Sequence, residues 1–239
     1  MDPLTALAAS GLRSRMESLD MLANNMANAT TGGYKSDREF YSLYAAPEAA
    51  NTDAVMPVIE RPWTDFSQGT LRATGNPLDL ALSGKGFFSV NGPSGPLYTR
   101  NGSFQVAANG ALVTSDGYSV RGTGGAALTV SAAGPLEISN DGTVRQNGAV
   151  IGQLEIADFT STAGMVKQGR NYFRSAGLAS RPAATAVAQG HLEDSNTGSA
   201  EAAVRLISIM RQFEMLQKAA ALGDGMNQHA IQEVARVGS

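Results

Sequence analysis

The sequence predicts an α+β fold in which two terminal helices flank a central antiparallel all-β domain. One observation is the distribution of glycine. Of the 27 glycines in 239 residues, one lies in residues 1–31 and three in residues 199–239, which leaves 23 between them. Because glycine costs about 1 kcal/mol relative to alanine inside a helix, the glycine-poor ends are expected to be helical. Apolar spacing at both ends and turn dipeptides in the middle support the same division.

The first predicted helix occupies most of residues 1–31. Its apolar residues recur at spacings of three and four and share one helical face: Leu12, Met16, Leu19, Leu22 and Met26. Asp2 and Pro3 are suited to begin the helix, as an N-cap followed by proline at the first helical position. Asn28, Thr30 and the Gly32–Gly33 pair are expected to end it.

The C-terminal segment carries a more regular apolar stripe. Alternating spacings of three and four form a heptad pattern at Leu206, Ile209, Phe213, Leu216, Ala220 and Gly223. This pattern predicts a coiled-coil seam with the N-terminal helix or a neighbour, and Val204, Ile207 and Met210 widen the apolar arc. A helix from Glu201 to Val234 would be roughly 50 Å long, and a helix of this length needs a partner in water.

Short alternating segments separated by turn dipeptides fill the middle of the chain. The expected strands are Leu78–Leu82, Phe87–Val90, Ser103–Val106, Ala111–Thr114, Tyr118–Arg121, Leu128–Val130, Leu136–Ser139, Thr143–Gln146, Val150–Ile151 and Leu154–Phe159. Asn-Gly and Asp-Gly pairs between them accept the positive φ angles of tight hairpins, which indicates an antiparallel domain. The expected domains are 1–44 (N-terminal helix), 45–75 (extended linker), 76–190 (β domain) and 191–239 (C-terminal helix).

The residue types that catalysis and metal binding need are absent or misplaced. The chain has no cysteine, and its two histidines, His191 and His229, belong to no metal-binding motif. No serine lies in a nucleophile-elbow motif, and Gly84-Lys85 is not followed by the Ser or Thr of a phosphate-binding loop. The sequence therefore predicts no catalytic residue, no cofactor, no metal site and no small-molecule substrate.

Charge and hydropathy exclude further classes. The 18 Lys and Arg against 21 Asp and Glu give a net charge of −3, which does not favour a nucleic-acid partner. The sequence contains no run of 18 apolar residues, so no transmembrane helix is expected. Residues Met1–Ala9 lack the basic region of a cleaved secretory signal, so such a signal is not expected. From the residues alone, the terminal helices are expected either to pack on the β domain or to pair with each other and with neighbouring copies.

Three separated stretches resemble the axial proteins of bacterial flagella, the rod and hook family. Near the N-terminus the resemblance rests on LANNMAN and TGGYK, with signature residues Asn24, Asn25, Asn28, Gly33, Tyr34 and Lys35. In the middle it rests on LDLALSGKGFFSV and YTRNGSFQVAANGALVTSDGYSVRG. Near the C-terminus it rests on LEDSNTGSAEAAVRLISIMRQFEMLQKA, with signature residues Ser195, Asn196, Arg211 and Glu214. The family usually has one glycine before the aromatic residue of the first motif, whereas this chain has two.

The resemblance implies a structural subunit rather than an enzyme. Members of the family polymerise helically through their terminal helices into the periplasm-spanning rod that transmits torque. The two apolar stripes, from Leu12 to Met26 and from Leu206 to Ala220, are therefore expected to form the assembly interface. The implied partners are copies of the chain, other flagellar rod proteins and the flagellar type III export apparatus, which acts without a cleaved signal.

Within the family, ISIMRQFEMLQKA is more similar to the proximal-rod type than to the distal-rod type. The alternatives are a distal-rod or hook-type subunit, a non-flagellar β-rich adhesin or binding module, and a glycan-cleaving enzyme. The enzyme would need an additional domain with paired carboxylates, for which a chain of 239 residues is expected to leave no room.

Overall fold

The computed structural model describes residues 3–39, 41–45, 55–59, 62–131, 134–169, 171–175, 177 and 185–237. The chain divides into two compact units, each built from separated segments. The first comprises Met1–Ala27, Asp37–Asp65 and Gly198–Ser239, and the second comprises Asn28–Ser36 and Phe66–Thr197. The sequential domain limits expected from the pattern stay a prediction.

The first unit contains the two helices expected at the ends of the chain. They are α1 (Pro3–Ala27) and α2 (Ser199–Val237), accompanied by β1 (Asp37–Arg38), β2 (Tyr41–Ala45), β3 (Val55–Ile59) and β4 (Trp63–Thr64). Strand β2 pairs with β3 and β1 pairs with β4, both antiparallel. Helix α2 begins two residues before the expected Glu201 and ends three after the expected Val234. Both glycine-poor ends are thus helical, as predicted.

The second unit contains fifteen strands in the described part of the chain: β5 (Leu71–Ala73), β6 (Leu80–Ser83), β7 (Phe87–Gly92), β8 (Gly95–Thr99), β9 (Phe104–Val106), β10 (Leu112–Thr114), β11 (Ser119–Val120), β12 (Leu136–Ile138), β13 (Thr143–Gln146), β14 (Ala149–Gln153), β15 (Ile156–Ala157), β16 (Met165–Gln168), β17 (Tyr172–Ser175), β18 (Ala186–Gln189) and β19 (His191–Glu193). Every described pairing between them is antiparallel, which confirms the predicted antiparallel β domain.

The largest sheet has eight strands in the order β16-β17-β8-β7-β11-β10-β9, with β15 also paired to β7. A second sheet has the order β12-β13-β14, and two short ladders join β18 to β6 and β19 to β5. The β13–β14 hairpin turns at Asn147-Gly148, where both residues have positive φ angles of 50° and 80°. This is the left-handed conformation that a tight hairpin turn requires and that Asn-Gly adopts readily.

The strand predictions differ from the structure in two ways: one predicted strand does not form, and β1–β5, β8 and β16–β19 were not predicted. Leu128–Val130 forms only an isolated bridge, because its backbone bonds alternate between neighbours: the Leu128 N–H donates to Val120 O, and the Leu128 carbonyl accepts from Leu112 N. The Gly95–Thr99 strand was missed because its opening Gly-Pro pair is typical of a turn. Pro96 fits there because β17 pairs only with the end of β8, at Tyr98 and Thr99.

The core of the second unit lies among these strands. Its main cluster is aliphatic and aromatic and includes Leu80, Phe88, Phe104, Leu112 and Leu154. Phe88 and Phe104 meet edge to face, with ring centroids 5.3 Å apart, a favoured aromatic geometry. A smaller aromatic cluster contains Phe87, Tyr98, Phe159 and Phe173. This packing fixes the strands that carry the charged residues described below.

Candidate functional site

Within the described residues, no group of three or more His, Asp or Glu side chains is placed to hold a metal ion. No described helix is both long and apolar enough to cross a membrane. The functional candidates among the described residues are the faces of α1 and α2 in the first unit and a cluster of signature residues in the second.

The inner face of α2 packs against α1 within the same chain. Leu22 of α1 forms a buried cluster with Ala202 and Ile209 of α2, and Leu19 and Leu206 pack at its edge. Of the other predicted interface residues, Leu12, Phe213, Leu216 and Ala220 are half-buried, whereas Met16 and Met26 are exposed. The structure thus brings members of both predicted stripes together within one chain. Part of the predicted assembly interface is therefore occupied by an internal contact. Their role in assembly stays a prediction.

Gly11 of α1 lies in close contact with Leu216 of α2. A Cβ atom on Gly11 would lie 3.3 Å from both methyl carbons of Leu216, closer than most carbon contacts. A side chain at position 11 would therefore require the Leu216 side chain to shift by a few tenths of an ångström. The sequence pattern offered a signal for this contact, since Gly11 is the one glycine in residues 1–31.

The opposite face of α2 is also apolar but is exposed. We define the outer stripe of α2 as Val204, Ile207, Met215, Leu222 and Met226, whose exposed fractions range from 53% to 72%. At roughly 100° per residue these five side chains fall within about 60° of one direction, and Ile209 points about 140° away from it. A helix that is apolar on opposite faces is expected to be covered on both. The sequence pattern indicated Val204 and Ile207, but not Met215, Leu222 and Met226, because these three residues lie away from the heptad seam.

The N-terminal signature residues end α1 and hold the chain that follows. Asn25 is buried and forms a reciprocal pair with Asp37: its Nδ2 donates to Asp37 O at 2.8 Å, and its Oδ1 accepts from Asp37 N at 3.0 Å. Asn28 accepts hydrogen bonds from the Thr31 amide at 3.1 Å and the Thr31 hydroxyl at 3.3 Å. Asn24 is exposed.

Gly33 occupies a position that only glycine fits. Its φ angle is +66°, and a Cβ atom there would lie 2.3 Å from the backbone of Arg100 and Asn101. Its N–H donates to Glu193 O at 2.7 Å. A Cβ on Gly32 would lie 3.3 Å from the Asn101 side chain and 3.6 Å from Glu193 O. Gly33 is therefore the glycine that the signature requires, and the second glycine of this chain is less constrained.

Lys35, the last residue of the N-terminal signature, belongs to a fully buried group of three charges, which we call the ion triad. Its Nζ lies 2.5 Å from Glu193 Oε1, and Arg100 Nη1 lies 3.0 Å from Glu193 Oε2. Lys35 also donates to Ser67 O at 2.6 Å, and Glu193 Oε1 accepts from Gly69 N at 3.0 Å. One carboxylate thus serves two cations, so each buried charge has a partner.

Tyr34 and Lys167 extend this cluster. Lys167 Nζ lies 4.5 Å from the centre of the buried Tyr34 ring and donates to Lys35 O at 2.7 Å. Sequence reasoning missed Arg100, Lys167 and Glu193 as participants. Arg100 and Glu193 do lie inside stretches quoted for the resemblance, but nothing in the pattern showed that they meet.

The C-terminal signature residues divide between the two units. Asn196 joins backbones in the second unit: its Oδ1 accepts from Ser36 N at 2.8 Å, and its Nδ2 donates to Ser67 O at 3.3 Å. Ser195 Oγ accepts from Thr197 N at 3.1 Å. Arg211 and Glu214 are exposed on α2 in the first unit. The signature therefore combines residues that fix the chain ends with residues on a free helix surface.

An open polar pocket of about 560 Å³ also lies in the second unit, lined by Asn101, Asp116, Tyr118 and Tyr172 among others. The Tyr172 hydroxyl donates to Asp116 Oδ2 at 2.6 Å. Burial, together with this hydrogen bond, raises the pKa of Tyr172 well above its usual range. The pair stabilises the neutral phenol, and the pocket residues form no nucleophile–base arrangement.

Comparison with known proteins agrees with this arrangement of helices and β unit. Residues 81–146 match the family model described as flagellar hook protein FlgE/F/G D1 domain. Residues 188–233 match the model described as flagellar basal body rod FlgEFG protein C-terminal. The first match lies in the second unit, and most of the second match lies in α2.

Individual relatives match nearly the whole chain. Flagellar basal-body rod protein FlgF of Caulobacter vibrioides is 31% identical over 229 residues, covering 92% of this chain and 92% of that protein. FlgG of Agrobacterium fabrum is 33% identical over 260 residues, covering 92% and 95%. FlgG of Buchnera aphidicola is 29% identical over 259 residues, covering 95% and 98%. The predicted resemblance is confirmed, and the chain belongs to the family of flagellar basal-body rod proteins.

Proposed function

We propose that this chain is a structural, non-enzymatic subunit of the flagellar basal-body rod. The relatives named as basal-body rod proteins support this role over 92% of the chain. The proposed location is the rod within the periplasm, reached through the flagellar type III export apparatus without a cleaved signal. The proposed partners are other copies of the chain and other rod proteins.

Within the rod we propose the proximal, FlgF-like position. The comparisons with FlgF of Caulobacter vibrioides and FlgG of Agrobacterium fabrum each cover 92% of this chain, but the first spans 229 positions and the second 260. The alignment of this 239-residue chain with FlgF therefore contains fewer gaps than its alignment with FlgG. The second candidate is the distal, FlgG-like position, which the 33% identity to FlgG favours.

The observation that carries the assembly role is the two-sided apolar surface of α2. We propose that its inner face pairs with α1 in a coiled-coil-like axial domain, through Leu19, Leu22, Leu206 and Ile209. Leu12, Phe213, Leu216 and Ala220 would extend that pairing. The outer stripe of α2 would then pack against a neighbouring subunit, because large apolar side chains on a polymer-forming helix gain free energy when removed from water.

Aspartate substitutions on the two faces of α2 separate assembly from folding. In cells that carry the variant as their one copy, Ile207→Asp with Leu222→Asp is expected to abolish rod growth and swimming. The purified variant is expected to melt at the wild-type temperature, since both side chains are exposed in the subunit. The matched control is Ile209→Asp, which places a carboxylate in the internal contact and is expected to lower the melting temperature. Normal swimming by the outer double variant would contradict the proposal.

A further inference from the structure

We propose that Asn147 is a site of spontaneous chemical modification, at which the asparagine loses its side-chain amide and becomes isoaspartate. The reaction needs no enzyme, and the proposal is independent of the proposed rod function. An asparagine reacts in this way most readily when glycine follows it. The chain contains four such pairs, at Asn91-Gly92, Asn101-Gly102, Asn109-Gly110 and Asn147-Gly148. The structure separates the last pair from the other three.

The reaction takes place within the Asn-Gly pair and consumes one water molecule. The Gly148 amide nitrogen attacks Cγ of Asn147, the Cγ–Nδ2 bond breaks, and ammonia leaves with the proton that the amide nitrogen gives up. Water then opens the resulting succinimide ring. Cleavage of its Cγ–N bond gives aspartate, and cleavage of its backbone C–N bond gives isoaspartate. Glycine favours the attack, because it has no Cβ to shield its nitrogen and its backbone rearranges easily.

Asn147 and Gly148 form the exposed tip of the β13–β14 hairpin. Gln146 pairs with Ala149, so these two residues are the centre of the turn. Asn147 is the one non-glycine residue with a positive φ angle in the described part of the chain. Its side chain lies beside Gly134, where a Cβ would be 2.3 Å from Oδ1. Among the described residues, this side chain makes no hydrogen bond and the Gly148 amide donates none, so both reacting groups are unpaired.

The Asn91 side chain, in contrast, is held at both ends. Its Nδ2 donates to Ser119 Oγ at 3.0 Å, and its Oδ1 accepts from Arg121 Nη1 at 3.1 Å. Gly92 lies in strand β7 and pairs with Gly95 of β8. Attack on Asn91 would therefore require the end of this ladder to open and two side-chain hydrogen bonds to break, which lowers the population of the reactive form.

Asn101 and Asn109 each bond to the backbone two residues ahead. Asn101 Oδ1 accepts from Ser103 N and Asn109 Oδ1 accepts from Ala111 N, both at 3.1 Å. These are Asx turns, in which the side chain is held on the backbone that follows it. The glycine after Asn101 is buried, and the Gly110 amide donates to a backbone carbonyl at 2.8 Å. Both pairs are therefore protected by bonds that Asn147 lacks.

Isoaspartate at this position changes the backbone as well as the charge. Its main chain passes through Cβ and Cγ, so the turn becomes one atom longer and gains a free carboxylate. The two-residue turn sets the register of β13 against β14, and a longer turn no longer fits it. Buried Gln146 also exchanges two hydrogen bonds with Ser131, at 2.8 Å and 2.7 Å. The modification is therefore expected to loosen the β13–β14 pairing.

Ageing of the purified full chain in mildly alkaline buffer tests the proposal, with tandem mass spectrometry of tryptic peptides as the readout. Loss of the amide is expected to be at least about tenfold faster at Asn147 than at each of the other three asparagines, because their side chains must first leave native hydrogen bonds. The matched control is the same chain in urea, where all four pairs are expected to react at comparable rates.

Three results of the ageing experiment would overturn the proposal. One is faster loss at Asn91, Asn101 or Asn109 in the folded chain. Another is an Asn147 that keeps its amide for as long as the other three do. The third is a preference for Asn147 that persists in urea, because the local sequence rather than the fold would then select it.

Two variants of the turn test the isoaspartate product. Asn147→Gly removes the amide and keeps the positive φ angle, so its hairpin is expected to stay unchanged through ageing. Freshly purified Asn147→Asp carries the added charge without the longer backbone. Hydrogen exchange in β13 and β14 is expected to be faster in the modified wild-type fraction, isolated by ion exchange, than in either variant. Equal exchange in that fraction and in Asn147→Asp would show that aspartate forms instead and would overturn the assignment.

Discussion

At the scale of single residues, Glu193 is a buried carboxylate that pairs with two cations. It is completely buried, and its carboxylate contacts both Lys35 and Arg100. Taking three charges out of water costs several kcal/mol per ion, so the arrangement persists because each charge has a partner and further backbone hydrogen bonds. The family signature at Lys35 is explained by this contact: a lysine here neutralises a carboxylate that precedes α2.

We expect Glu193→Gln to destabilise the second unit by about 3–5 kcal/mol, because it leaves two buried cations without an anion. Lys35→Met is expected to cost less, since Arg100 still pairs with Glu193. The matched control is the neighbouring Asp194→Asn, whose exposed pair with Arg72 is worth at most about 1 kcal/mol. Urea unfolding of the purified variants measures all three, and equal losses for Glu193→Gln and Asp194→Asn would contradict the role of the triad.

Tyr172 is expected to make the free energy of unfolding depend on pH in the alkaline range. Its pKa is raised above the model-peptide value of 10.0 by burial and by its bond to Asp116, so the folded state favours the neutral phenol. The associated stability is present in full below pH 10 and is lost as the pH rises toward the folded-state pKa. We expect Tyr172→Phe to flatten the fall in unfolding free energy above about pH 10. An unchanged slope would show that the tyrosine does not contribute.

At the scale of elements, α2 is one helix with two apolar faces that differ in burial. Its inner face is filled by α1 from the same chain, and its outer stripe is exposed in the subunit. The apolar residues of both faces recur at helical spacing, so periodicity alone cannot tell which face is buried. Their burial distinguishes them.

The difference between the faces is measurable with two alanine substitutions two residues apart. Ile209 is 4% exposed. We expect Ile209→Ala to lower the free energy of unfolding by about 2–5 kcal/mol, because the change leaves a cavity against Leu22. Ile207, which is 53% exposed, is expected to change stability by no more than about 0.5 kcal/mol. Thermal unfolding of the two purified variants compares them, and a larger loss for Ile207→Ala would reverse the assignment of the faces.

At the scale of the whole molecule, the two units have very different cores. The described part of the helical unit has one small buried cluster of Leu22, Ala202 and Ile209. The β unit has a large cluster extending from Leu80 to Val187 and a second aromatic cluster around Phe173. Regions with few buried apolar contacts open at lower free energy than the core.

We therefore expect the helical unit to open before the β unit in the isolated subunit. Hydrogen exchange followed by mass spectrometry is expected to show faster exchange in α1 and α2 than in β7 and β8. In the assembled rod α2 is expected to become protected, because its outer stripe is then covered. Protection of α2 equal to that of β7 in the isolated chain would contradict this order.

Local chemistry in the sequence determined much of the architecture. The scarcity of glycine at the ends gave the helices, and the Asn-Gly and Asp-Gly pairs gave the antiparallel β domain, because these signals depend on backbone preferences of single residues. The signature motifs gave the family, which the relatives confirm. The strand Gly95–Thr99 was missed because Pro96 is tolerated only through the local pairing of β8.

Only the tertiary structure decided which residues meet. Lys35 and Glu193 are separated by 158 positions, and no local pattern reports that their charges neutralise each other. In the same way, heptad spacing shows that α2 has apolar faces but cannot say which of them α1 covers. Periodicity fixes the direction of a side chain from its own helix, whereas burial depends on the distant chain that topology brings against it.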